Sequence, residues 1–281
     1  MNAPRHASIE GERDSSAAES MRIASVGHVV FAATMIALGI LGLAKGDFAP
    51  IWLPVPQTLP AREALAYLCS FVSLACGMGL LWPRAAAIAA RVLFVYLSLW
   101  LLAFKARFIV RAPTVEVSYQ TCGETAVIVA GAWVLYAWFA VDWDKRRLAF
   151  AIGERGVRLA RVLYALALIA FGLSHFAYVN MTAPLVPAWL PAHVFWAYFT
   201  GCTFLAAAAA VLFGVWARLA AALSALQIGL FTLLVWGPIL AAGHVSAQHW
   251  GEFVVSWTIT AGAWVVADSY RALPWLAVNK R

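Results

Sequence analysis

Two short motifs hold most of the titratable chemistry of this sequence: Gln120-x-x-Gly123-Glu124 and Gln248-x-x-Gly251-Glu252. Each sets a carboxylate beside apolar runs, where an ionisable group is costly and is tolerated facing protein or water rather than lipid. Two roles are open to Glu124 and Glu252. One is binding a ligand or a proton; the other is capping free N–H groups in the first turn of a helix. Around the second motif stand His175, Asn180, His244, His249 and Trp250, and around the first Lys45, Asp47, Lys105 and Arg107. His175 could exchange a proton with Glu252 near neutral pH, or snorkel from a helix end to the membrane interface. His244, His249 and Glu252 are metal-ligand types, but a loop spacing of five followed by three is not a metal motif. Cys69, Cys76, Cys122 and Cys202 contain no CxxC pair. No metal site is expected. With no nucleophile or nucleotide motif either, whether the chain is an enzyme stays open.

The elements that position these residues are membrane helices. A chain of 281 residues that is 64% hydrophobic and 12% charged, with mean hydropathy +0.81, has too much apolar surface for one soluble core. Apolar runs without alternation exclude a β-barrel. The expected fold class is all-α and polytopic, with eight spans near 22–44, 61–82, 85–106, 121–141, 157–178, 193–214, 216–237 and 250–268, each close to the roughly 20 residues a bilayer requires. With both termini cytoplasmic, 15 of the Lys and Arg residues fall inside and 5 outside, as the positive-inside rule asks. The net charge of +7 is thus spread over membrane loops, and nucleic acid is not an expected partner. Residues 1–21 read as a disordered cytoplasmic tail.

The halves match at an offset of about 130 residues, so the spans form an internal duplication. Ala37-Leu38-x-x-x-Gly42-Leu43 recurs as Ala167-Leu168-x-x-x-Gly172-Leu173, and Val55-Pro56-x-x-Leu59-Pro60 as Val186-Pro187-x-x-Leu190-Pro191. The Gln-x-x-Gly-Glu motif is followed in each half by Gly-Ala-Trp, at 131–133 and 262–264. Four spans per unit make the repeats parallel. The expected organisation is a first unit at 22–141, a linker at 142–156, a second unit at 157–270 and a tail at 271–281. All repeated polar motifs then lie outside, giving one outward pocket per half. Its candidate residues are Glu252, Gln248, His249, His175 and His244 in the second half and Glu124, Gln120 and Lys45 in the first. Pro56 and Pro60, and Pro187, Trp189 and Pro191, form interfacial loops that serve as lid or as belt. Most other tryptophans, Trp100 among them, are expected as interfacial anchors, and Gly77, Gly79 and Gly201 as points of close helix approach.

Gly172-Leu173-Ser174-His175-Phe176, Pro187-Ala188-Trp189-Leu190-Pro191 and Tyr198-Phe199-Thr200-Gly201 together resemble the DoxX family and its DoxX-like relatives. The resemblance covers 157–268 and, through the repeat, 22–141. It implies a four-helix membrane unit, and some relatives are subunits of thiosulfate:quinone oxidoreductases or membrane partners of redox proteins. Relatives often carry a glutamate soon after the glycine of the second span, where this chain has Cys202 and Thr203. The role of that carboxylate does not carry over. The expectation that follows is a multi-pass protein of a bacterial-type inner membrane, associated with redox chemistry and holding a quinone or another small amphipathic molecule. No cofactor other than quinone is indicated, and the partners are the bilayer and an extracytoplasmic or redox protein. A non-catalytic scaffold and a small-solute permease are the alternatives.

Overall fold

The computed structural model describes residues 24–243 and 245–278, so the expected N-terminal tail and His244 lie outside the described residues. Among the described residues the chain is helical throughout, and seven helices are long and apolar enough to cross a membrane. They are α1 (Val26–Lys45), α2 (Arg62–Leu81), α3 (Ala86–Arg111), α4 (Glu116–Phe139), α5 (Gly153–Ala177), α6 (His193–Phe213) and α7 (Ala217–Ala241). A further long helix, α8 (Ala247–Asp268), is less apolar because it carries Gln248, His249, Glu252 and three tryptophans.

Local chemistry sets several ends. Ser25 Oγ accepts the His28 N–H at 3.1 Å to open α1, and Gly46, at φ 64°, closes it with a bond to the Gly42 carbonyl. Ala61 and Ala192, each just after a Leu-Pro pair, take left-handed backbone angles immediately before α2 and α6. Both third helices contain a π-helical turn, Leu101–Lys105 in α3 and Thr232–Trp236 in α7, 131 residues apart. Such a turn inserts a residue and rotates everything beyond it about the axis.

Neighbouring helices pack in the order α1, α2, α3, α4, α5, α6, α7, α8, with α8 returning to α1. The fourth helix of each half therefore packs on the first helix of the other. At the centre α4 crosses α8, where a Cβ on Gly131 would lie 2.9 Å from Gly262 Cα and its carbonyl oxygen. Only paired glycines allow that approach, and both belong to the repeated Gly-Ala-Trp. Gly77 and Gly201 act as expected. A Cβ on Gly77 would meet the Ala32 carbonyl at 2.8 Å, and one on Gly201 would meet the Gly172 carbonyl at 3.0 Å.

The end of the bundle away from the Pro-rich loops is latched by charges. The 142–156 linker is not extended chain but a helical turn, Asp142–Arg147, followed by a 3-10 turn. Its fully buried Asp144 accepts from Arg91 Nε at 2.6 Å and Nη2 at 2.7 Å, from the Tyr136 hydroxyl at 2.9 Å and from the Val141 N–H at 3.0 Å. Burial pushes the Asp144 carboxyl up. The Arg91 guanidinium, the Val141 N–H and the Tyr136 hydroxyl outweigh it and hold the group below the usual carboxylate range. Arg91 also lies 4.6 Å over the Trp143 ring, as Arg218 lies 4.0 Å over Trp275 in the second half.

Candidate functional site

At the opposite end, near the Pro-rich loops, the π-helical turn of α3 turns Lys105 inward. Its side chain is 2% exposed, and Nζ donates to the Leu53 carbonyl at the end of the Pro50–Trp52 turn. Lys105 interacts through space with Glu124 and Cys122, and Glu124 in turn with Glu252 and Glu116. One ammonium from α3 thus faces the Glu124 carboxylate of α4, which in turn feels Glu116 of the same helix and the exposed Glu252 of α8. Both Glu116 carboxylate oxygens are shielded from solvent without a hydrogen-bond partner among the described residues.

Helix starts decide between the two roles expected for the glutamates. The first turn of α4 holds Glu116, so Glu124 sits eight residues further on, about 12 Å along the axis at 1.5 Å per residue. Ser246 caps α8 by accepting the His249 N–H at 3.1 Å, and Glu252 lies beyond the first turn. Neither Glu124 nor Glu252 is a helix cap.

Beside Lys105 lies an aromatic cluster. Trp52 and Trp100 stand 5.2 Å apart, ring to ring; Tyr96 is 5.2 Å from Trp52, and Phe104 stacks on Trp100 at 4.3 Å. Trp52 is 1% and Trp100 3% exposed, and neither indole Nε1 has an acceptor among the described residues. An indole N–H can only donate, and a buried unmet donor costs about 1–3 kcal/mol. The Tyr96 hydroxyl lies beside Cys69 and Ser73 without a well-formed hydrogen bond. Trp100 is therefore a core donor, not an interfacial anchor, and Trp52 is buried beside it. The sequence signal for them is Tyr96, Trp100 and Phe104 at i, i+4 and i+8, which share one helix face.

The second half differs. His175 does not snorkel; its Nδ1 bonds the Phe171 carbonyl at 2.8 Å, and its ring packs 5.7 Å from Phe204 and 6.0 Å from Phe231. The imidazole is half-buried against these rings. No hydrogen bond or ion pair joins His175 to Glu252 among the described residues. Gln227, 131 residues after Tyr96, accepts from Thr203 at 2.7 Å and donates to the Thr200 carbonyl. Phe231 occupies the place of Trp100 and Trp236 that of Lys105.

The remaining candidates stay peripheral. Lys45 and Gln248 are exposed, Gln120 is half-buried, and His249 Nδ1 is shielded without a partner among the described residues. Asp47 pairs with Arg62 at 2.8 Å and tethers the first loop. Pro60 lines an apolar cleft of about 340 Å³ with Leu59, Leu65, Leu68 and Phe104. Pro187 and Trp189 line a second of about 300 Å³ against Leu234 and Pro238. Pro56 is half-buried and Pro191 exposed. Among the described residues no three His, Cys, Asp or Glu side chains come together as a metal set. No protein-family model, curated protein or solved structure matches the chain.

Proposed function

We propose that the chain is a DoxX-like inner-membrane protein that holds a small amphipathic, redox-active molecule, such as a quinone, in the outer half of its first helical unit. The observation carrying this reading is the pair of buried indole donors, Trp52 and Trp100, unmet beside Lys105. A molecule with a polar acceptor and an apolar body suits such a site. In this reading α8 is an eighth span, both termini are cytoplasmic and the two four-helix units are parallel repeats. The paired π-helical turns, the paired left-handed alanines and the Gly131–Gly262 crossing support the duplication.

A second reading, a scaffold for an extracytoplasmic partner, is favoured by Met181 and Trp189, each 70% exposed in the second outer region. The test is purification in mild detergent, with small molecules in the extract identified by mass spectrometry. The amphipath reading expects a bound molecule in the wild type that is lost or reduced in Glu124→Gln and Trp100→Phe. An empty wild type, with both variants equally intact, overturns it in favour of the scaffold.

A further inference from the structure

Each half has an apolar cleft at the Pro-rich end, and the first alone sets an arginine beside it. The first cleft is walled by Pro60, Ala61, Ala64, Leu68 and Phe104, the second by Pro187, Trp189, Val235 and Pro238. Val235 and Pro238 stand 131 positions after Phe104 and Arg107, the offset that also relates the two π-helical turns. The second half has no Lys or Arg between Arg161 and Arg218 or between Arg218 and Arg271, so its cleft is without a cation. In the first half the Arg107 guanidinium lies 5.6 Å from the centre of the Phe104 ring, a wall of the cleft, and 5.6 Å from that of Phe108. Arg107 is half-buried, and among the described residues no hydrogen bond or ion pair reaches it; its Nε is shielded from solvent without an acceptor. The neighbouring Arg62 is already paired with Asp47 at 2.8 Å. A half-buried guanidinium with nothing to meet carries a cost that an anion relieves.

We propose that the first cleft seats one phospholipid with an anionic head group. An acyl chain lies along exposed Ala64 and Leu68 and against Phe104, and the phosphate accepts from Arg107, whose planar fork of N–H groups matches phosphate oxygens. Exposed Glu63 on α2 and exposed Arg111 on α3 stand at the same end and offset each other, which leaves Arg107 as the net charge. A zwitterionic phospholipid fits the same apolar walls, but its own ammonium competes with Arg107 for the phosphate. The second cleft, with Pro238 in the place of Arg107, has nothing to select a head group by charge. This inference is independent of the amphipath reading above and needs only that the chain sits in a bilayer.

The test places the full-length chain in nanodiscs of equal parts phosphatidylglycerol and phosphatidylcholine with identical acyl chains, transfers it to mild detergent and counts the retained lipids by native mass spectrometry. The expected result is one retained phosphatidylglycerol per chain, favoured over phosphatidylcholine about fivefold, the effect of one basic residue beside an anionic lipid. That preference should fall as salt rises. Arg107→Gln should bring it close to parity. Lys45→Gln removes the same charge at the same end from a residue that lines neither cleft, and should leave the preference intact. Ala64→Phe, at an exposed wall position, should fill the cleft and expel the lipid with Arg107 still in place. Equal retention of the two lipids by the wild type overturns the proposal. Equal loss of preference in Arg107→Gln and Lys45→Gln also overturns it, by showing a diffuse field in place of a seat, and so does undiminished retention in Ala64→Phe. The wild-type ratio and its salt dependence need no variant, so a misfolded substitution does not shelter the proposal.

Discussion

Asp144→Asn keeps the shape of the side chain and removes the charge that joins α3, α4 and the linker. The carboxylate accepts four hydrogen bonds, two of them from Arg91, and its side chain has no solvent exposure. Removing one partner of a buried ion pair costs about 3–5 kcal/mol. Arg91 keeps 25% of its side-chain surface exposed and rests on Trp143, so water and the ring recover part of that loss. The lower bound, about 3 kcal/mol, is therefore expected. At roughly 2–4 °C per kcal/mol for a chain of this order, it lowers the midpoint of thermal unfolding in detergent by about 6–12 °C. Asp142→Asn is the control, because its ion pair with Lys145 is exposed and should show no measurable change. The pH dependence follows from the depressed Asp144 value. The folded state binds this proton less readily than the unfolded chain does. The latch is complete above the unfolded carboxyl value near ~3.9 and is lost as pH falls through the lower folded value. The gap between wild type and Asp144→Asn should close on acidification in that range. Equal stability of the Asp144→Asn and Asp142→Asn proteins at neutral pH would refute the latch.

Gly131→Ala forces a Cβ to within 2.9 Å of Gly262 backbone atoms and should destabilise the detergent-solubilised protein by about 1–3 kcal/mol. Gly251→Ala, whose nearest neighbour would be Pro50 Cβ at 3.8 Å, should be neutral or mildly stabilising in the same melt. Lys105→Met leaves the Leu53 carbonyl and Glu124 without their cation. Thermal stability should fall, and Glu124→Gln in the same chain should restore part of it. A double-mutant coupling below about 0.5 kcal/mol would refute an electrostatic link between the two. Gln227→Leu removes the side-chain bonds to Thr203 and to the Thr200 carbonyl and should lower stability without altering retention of a co-purifying molecule, since those bonds belong to the second half.

Much of the architecture is legible in the sequence because lipid constrains it so tightly. Runs of about 20 apolar residues place seven helices within a few residues of their observed ends, and Gly77 and Gly201 mark real close approaches. Partner choice is less legible. An apolar run shows that a face is buried and not against what, so the packing of α4 on α5 and of α8 on α1 cannot be read from hydropathy. In the site, Lys105, Glu124 and Glu252 stand out as charges in apolar surroundings. Their roles turn on details hidden from composition. A π-helical turn rotates Lys105 inward, and α4 begins one turn early, at Glu116, which moves Glu124 from cap to interior. Trp100 and Phe231 are both simply aromatic by pattern; only the packed fold shows that one brings a donor with nothing to meet.

The central claim is occupancy of the first half by one amphipathic molecule. Native mass spectrometry of the full-length chain, released from nanodiscs cut directly out of its own membrane, tests it most directly. The account predicts a single non-phospholipid adduct per chain, absent from the Trp52→Phe, Trp100→Phe double variant. A bare wild-type chain, or an adduct that persists undiminished in a folded double variant, would contradict it.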